Sequence, residues 1–313
     1  MIHLEHCRRA QRTPFPKSLL LALVLLLAAL PATAQQIITG SFSFETVDVP
    51  GLSVDLSDIT KDGVIGGWTT DANGIVQGFL MENGVMTPFS FPGAVATTVI
   101  GLNDKGWAVG DYDPGDGRVR GYVYDGTNFT TIDFPGSLFT SALGVNEKGE
   151  VVGFYRDANQ TRHAYTWRNG NVQFSDHPNA GPAGTRASDI NKGGKVGGFY
   201  FDANFGFHGY ILNNNGTFTD LDFPGALGTS VGSISENGTV VSGYLDATSF
   251  NFRGVIFTKD GRMITIDVPG AENTISVRLS PGGQIIGSYN DASDPSRYLG
   301  FIATPLVDYD LMD

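Results

Sequence analysis

Few residues of this chain have both the type and the spacing for chemistry. Gly228-Thr-Ser230-Val-Gly232 matches the Gly-x-Ser-x-Gly pattern, in which a serine is lifted on a strand-to-helix turn beside histidine and carboxylate partners. No apolar helical period follows it, so Ser230 is expected in a plain connection, and no catalytic residue is assigned. Asp111, Asp113 and Asp116 offer oxygens in one short turn, the donor type that calcium takes. Their spacing is off by one from an EF-hand loop and no downstream glutamate completes it. A polar surface turn is therefore expected, with calcium as the lesser alternative and no other metal. His163, His177 and His208 are too dispersed for a zinc triad, and no cofactor is expected.

The elements that would position these residues come in a repeat. Pro50, Pro92, Pro135, Pro178, Pro224 and Pro269 stand 42, 43, 43, 46 and 45 residues apart. Five of the six are followed by glycine, and Asn179 takes that place after Pro178. Between them recur a Val/Ile-Gly-Tyr phrase, as in Gly149-Glu-Val-Val-Gly-Phe-Tyr155, and a Gly/Ala-aromatic phrase, as in Arg120-Gly121-Tyr122. Each unit parses into four strands, a to d. Strand a ends at Ile59, Leu102, Val145, Ile190, Ile234 or Leu279, before a four-residue turn closed by glycine. Asn or Ser opening that turn bonds its own backbone, and the glycine takes the positive φ. Strand b is the Val/Ile-Gly-Tyr phrase. A turn bearing Asp71, Asp113, Asp157, Asp202, Asp246 or Asp291 leads to strand c, and Asn-Gly or Asp-Gly hairpins such as Asn169-Gly170 lead to strand d.

Four strands per unit of 40–45 residues is the β-propeller pattern. The array starts with a lone strand d, Phe42 to Val49, and finishes after strand c of the sixth unit. An all-β, six-bladed propeller of four-stranded antiparallel blades follows, with the N-terminal strand completing the last blade and removing an exposed edge. The domain expectation is a signal peptide over 1–34, a single propeller over 35–304 and a short acidic tail over 305–313.

Arg8, Arg9, Arg12 and Lys17 precede an apolar run from Leu19 to Leu30, and Ala32-Thr33-Ala34 suits cleavage before Gln35. The only cysteine, Cys7, lies inside this segment, so the mature chain has no disulfide or thiol nucleophile. Losing those four basic residues and Glu5 moves the formal charge from -12 to -15. Such an acidic chain makes nucleic acid a poor partner. The mature protein is expected to be secreted, extracellular or periplasmic, monomeric and without a membrane span.

The units resemble bacterial extracellular repeats named for a His-Ala-Phe phrase. His163-Ala164-Tyr165 and His208-Gly209-Tyr210 carry the resemblance, with Leu102-Asn103, Val145-Asn146 and Ile190-Asn191 before the turn glycines. The resemblance implies a structural repeat and brings no activity with it. Residues that break the repeat are then the informative ones. Strand a should line a central channel, where most units carry small or apolar residues. Units one, four and six instead carry Asp55, Asp58, Arg186, Asp189 and Arg278. These five are the ligand-binding candidates at the channel mouth. The expected function is a non-catalytic binding or scaffold propeller recognising an extracellular glycan or protein. The alternative is a carbohydrate-active or lactonase-type hydrolase or lyase using those carboxylates.

Overall fold

The computed structural model of the chain describes residues 36–291 and 293–311. The expected signal peptide over 1–34 and its expected cleavage point lie outside the described residues. Within them every regular element is a strand, and no helix is long and apolar enough to cross a membrane. Four-stranded antiparallel meanders follow one another along the chain. Unit three is typical: strands Phe139–Val145, Val151–Arg156, Arg162–Arg168 and Asn171–Phe174 pair in sequence order. Strand a ends at the residue expected from sequence in all the units. Units four and five join into one larger sheet through a single parallel pair, Phe207 with Gly228. Among the described residues no sheet closes on itself; each unit instead packs face to face on the next.

The last unit has three strands of its own, Thr274–Leu279, Ile285–Asp291 and Asp294–Pro305. Its fourth is Phe42–Val47, paired in register from Phe42 with Pro305 to Val47 with Gly300. This is the pairing that the strand count requires. Val54, Leu56 and Ile59 of unit one pack on Ile286 of unit six, so the two ends of the array share a core. Two further contacts have no signal in the repeat. Ile37–Thr39 adds a parallel strand to the outer edge of unit five, beside Met263–Thr265. The acidic tail also folds back. Tyr309 and Leu311 are buried, the Tyr309 hydroxyl accepts from Ser41 N at 2.7 Å, and Lys259 pairs with Asp310 at 2.9 Å. The propeller-and-tail division at 304 therefore understates what the last residues do.

The recurring Gly-Tyr chemistry is steric. A Cβ on Gly153 would lie 2.0 Å from Ser141 O and 3.0 Å from the Tyr165 hydroxyl. Glycine in strand b thus lets the strand-c tyrosine pass beneath it and donate to a strand-a carbonyl. Tyr122 bonds Thr98 O at 2.7 Å, Tyr165 bonds Ser141 O at 2.9 Å and Tyr210 bonds Arg186 O at 3.2 Å. Unit five lacks both partners, having Ser242 for the glycine and Val255 for the aromatic. There the Ser242 hydroxyl itself donates to Ser230 O at 2.6 Å. The smaller pair satisfies the same buried carbonyl, which would cost about 1–3 kcal/mol if left bare.

Candidate functional site

The strands a converge, and their two ends differ. At the end formed by the a–b turns, a depression of about 120 Å³ is lined by all the units, including Asp58, Asn103, Asn146, Asp189, Ser235 and Arg278. Arg278 closes its floor and is 3% exposed. Its guanidinium donates to Ser57 O at 3.2 Å, Gly232 O at 2.6 Å and Leu143 O at 2.8 Å, which belong to units one, five and three. It also pairs with Asp189 at 3.0 Å and Asp58 at 3.6 Å. The carboxylates are spoken for on their other sides. Asp58 accepts from Ile59 N at 2.8 Å and Leu102 N at 2.6 Å, and Asp189 accepts from Ile234 N at 2.9 Å. Burial still pushes the Asp58 carboxyl up to about 6, against the pull of Arg278.

The turn asparagines ring this end. Each uses its carbonyl oxygen on its own turn, as Asn146 does for Lys148 N and Glu150 N. Each sends its amide to the next unit: Asn103 to Asn146 O at 3.0 Å, Asn146 to Asn191 O at 3.1 Å, Asn191 to Ser235 O at 3.1 Å. The Asn before the turn glycine is therefore a coupling between units as well as a turn former.

Asp55 and Arg186 do not join this group. A β-bulge follows each of them, between Leu56 and Asp58 and between Ala187 and Asp189. The bulge and the strand rise carry them toward the other end, formed by the d–a connections and the b–c turns. The five candidates thus divide between two ends. Asp55 pairs in register with Trp68, and Arg186 with Phe199. Burial raises the Asp55 carboxyl, opposed by the Ser288 hydroxyl. The Arg186 guanidinium lies 5.5 Å from the ring centres of both Phe154 and Phe199. Burial lowers it to about 10, against the nearby Asp111.

Asp111 belongs here too, apart from Asp113 and Asp116. Its carboxylate turns to Ser141 and Ala142 N of the next unit, and burial pushes it up to about 7. Asp113 instead accepts from Gly115 N at 2.7 Å, and Asp116 pairs with Arg120 at 2.7 Å. The three carboxylates go three ways: Asp111 lies inside strand Ala108–Asp113, Asp113 ends it, and Asp116 lies in the turn beyond. Among the described residues no group of three ligands gathers for a metal. Ser230, at the nucleophile-like pattern, sits inside strand Gly228–Ile234, with its hydroxyl on Gly243 O at 3.4 Å.

The repeated b–c aspartates form latches. Asp157 and Asp176 hold His163 at 3.7 and 2.6 Å, and Asp202 and Asp222 hold His208 at 3.6 and 2.9 Å. Unit six completes the same latch across the closure, with Arg297 on Asp291 and on Asp48 of the N-terminal segment. His177 is different: it stacks on Tyr200 at 3.8 Å.

Sequence reading missed the aromatic character of the loop end. Phe199, Phe201, Phe207 and Phe252 form a chain of ring contacts at 5.6 to 6.4 Å across units four and five. Phe205 and Phe250 stand at the b–c turn tips, 64% and 69% exposed. Both have positive φ, 65° and 59°, a conformation unfavourable for a bulky side chain. Unit one places Gly74 at the same point, with φ 79°. Counting three residues on from the turn aspartate would have shown Phe205 where Gly74 stands; Phe250 closes a turn one residue longer, four after Asp246.

No family model matches the chain, and no curated protein matches it. Solved structures do. The fungal Aleuria aurantia lectin, described as a six-bladed β-propeller with a novel fucose recognition mode, is 13% identical with a TM-score of 0.50, over 80% of this chain and 91% of that one. AofleA from Arthrobotrys oligospora is 12% identical, with a TM-score of 0.54 and 87% of each chain covered. TolB from Acinetobacter baumannii is 12% identical, with a TM-score of 0.52 over 82% of this chain and 65% of that one. At these identities the likeness is one of fold. The chain has a propeller-like, all-β architecture.

Proposed function

We propose that the chain is a secreted, non-catalytic, six-bladed propeller that binds a glycan at its loop end. The observation that carries this reading is the pair Phe205 and Phe250. Each sits in a strained backbone conformation with its ring in solvent, beside a continuous row of phenylalanines. Strain held at an exposed aromatic has no gain in the folded protein alone. Aromatic faces suit the apolar faces of a sugar ring, and the lectin neighbours support a carbohydrate ligand. The repeat itself supports placement with the His-Ala-Phe repeats. A hydrolase would need two carboxyls flanking a cleft, whereas Asp58 and Asp189 share one arginine and accept backbone N–H groups.

The test is a glycan array with the wild type and the Phe205→Gly/Phe250→Gly variant. Glycine is the residue unit one uses, so the variant should melt at or above the wild-type temperature while its glycan signal falls at least about tenfold, the loss of roughly 1.4 kcal/mol. Unchanged binding, or the absence of any glycan signal for the wild type, refutes the reading.

A further inference from the structure

Ten arginines fall within the described residues, and seven of them have a carboxylate within 4.0 Å. The three without one are Arg156, Arg162 and Arg186, and they lie together at the loop end where unit three meets unit four. Arg156 stands 5.4 Å over Phe139. Arg162 stands 5.9 Å over Phe154 of its own unit and 5.1 Å over Phe201 of the next. Arg186 lies between Phe154 and Phe199. Burial lowers Arg162 and Arg186, and the neighbouring arginines add to it: Arg156 acts on Arg162, and both act on Arg186. Gathering three cations with Asp111 as the carboxyl beside them, in a chain of net charge -12, leaves an excess of positive charge that favours a further anion.

The cluster also holds polar atoms that nothing in the protein satisfies. Arg156 Nε, Arg186 Nε and Asp111 Oδ1 are buried with no hydrogen-bond partner, in contrast to the fully used groups around Arg278. Buried donors and acceptors in folded proteins are overwhelmingly paired. Here two donors and one acceptor remain in one cluster. A ligand that satisfies them must bring a negatively charged acceptor and a hydroxyl donor, on a body flat enough to lie along phenylalanine rings.

Resting on the glycan-binding reading, we infer that this arginine cluster takes a sugar acid. Arg156, Arg162 and Arg186 would hold its carboxylate, and Asp111 would accept from a neighbouring hydroxyl. Guanidinium groups match carboxylates with paired, charge-assisted bonds, and phenylalanine rings flank these three. The Phe row of units four and five continues from Phe199 and Phe201, so further sugars of the same chain would extend along it.

The experiment is calorimetric titration of the full mature chain with oligogalacturonate, oligoglucuronate and a sialylated oligosaccharide. Each is compared with its carboxyl-reduced, neutral counterpart, and sodium sulfate and acetate serve as simple anions. The expected result is binding of at least one sugar acid, about 10–100-fold tighter than its reduced form, the scale of one or two charge-assisted hydrogen bonds. That preference should shrink with added salt and vanish in Arg156→Gln/Arg162→Gln, two partly exposed positions, with Arg186 left in place. Circular dichroism and melting confirm that this variant is folded. Equal binding of acid and reduced sugars overturns the sugar-acid assignment while leaving glycan binding standing. Sulfate or acetate competing at the affinity of the sugar acid overturns it in favour of a simple anion site. If neutral glycans bind the array and no sugar acid binds in solution, the inference falls alone; if no glycan of either kind binds, both readings fall.

Discussion

Replacing Arg278 by Met tests what holds the units together. The side chain is almost wholly buried and bonds carbonyls of units one, three and five. Methionine would fill much of the volume but leave Asp58 and Asp189 buried without their cation. Breaking a buried pair by removing one partner costs about 3–5 kcal/mol, and the uncovered carbonyls add about 1–3 kcal/mol where water does not reach them. A loss of roughly 5 kcal/mol corresponds to about 10 °C in melting midpoint for a domain of this size. The loss should be smaller at pH 5 than at pH 8. The folded pKa of Asp58 is already raised to about 6, and without Arg278 it rises further. The folded state then binds protons more readily than the unfolded one, and lowering the pH favours folding. Adding Asp58→Asn and Asp189→Asn should recover more than half of the loss, because each amide keeps an acceptor and gains a donor for a freed carbonyl. The assay is thermal unfolding by circular dichroism at both pH values. A midpoint within about 3 °C of wild type, or no recovery in the triple variant, refutes the role of Arg278 as the shared centre.

The Ser242 and Val255 pair predicts a compensated exchange: Ser242→Ala should cost about 1–3 kcal/mol, and Ser242→Gly with Val255→Tyr should restore most of it, read by urea unfolding. Deleting residues 36–47 removes the fourth strand of unit six and the strap on unit five; the truncated chain should lose its cooperative melt, and an unchanged melt would show that the array is held without that strand. The wild type should melt higher at pH 5.5 than at pH 8, because Asp58 and Asp111, with folded pKa values raised to about 6 and about 7, bind protons preferentially in the folded state across that window. His208, raised by Asp222 and Asp202 against the opposing pull of burial, acts in the same direction and His177, lowered by burial, acts against it; Asp111→Asn should flatten the dependence.

The fold was legible because its signals are local and repeated. Glycines at the a–b turns, the Gly-Tyr pairing of strands b and c, and the Pro-Gly anchors each encode a short-range requirement, and the sequence repeats each one. The lone strand at Phe42 was legible by counting. The strap at Ile37–Thr39 and the docking of Tyr309 were not, since each occurs once and is decided by long-range packing. The candidate site was legible only in part. Asp55, Asp58, Arg186, Asp189 and Arg278 stood out as charges among apolar neighbours, and that test is blind to where they point. A single bulge sends Asp58 and Asp189 to one end and leaves Asp55 and Arg186 toward the other. Asp111 was noticed for calcium because its partners in sequence are acidic, whereas its partners in space are Ser141 and Arg186. Arg156 and Arg162 escaped notice because a charge near a surface turn is ordinary until its missing counter-charge is visible.

The pairing of Phe42–Val47 with Asp294–Pro305 also sets an order of assembly. Two segments separated by nearly the whole sequence must meet before the last sheet exists, and contacts of such long range slow folding. Units one to five can each form from neighbouring strands as soon as they are made. The sixth cannot, because its outer strand was synthesised first and has been waiting unpaired. During that interval the chain carries two open strand edges that suit each other and suit a second copy equally well. At high concentration, exchange of this strand between molecules is the competing outcome, and dilution during refolding favours pairing within one chain.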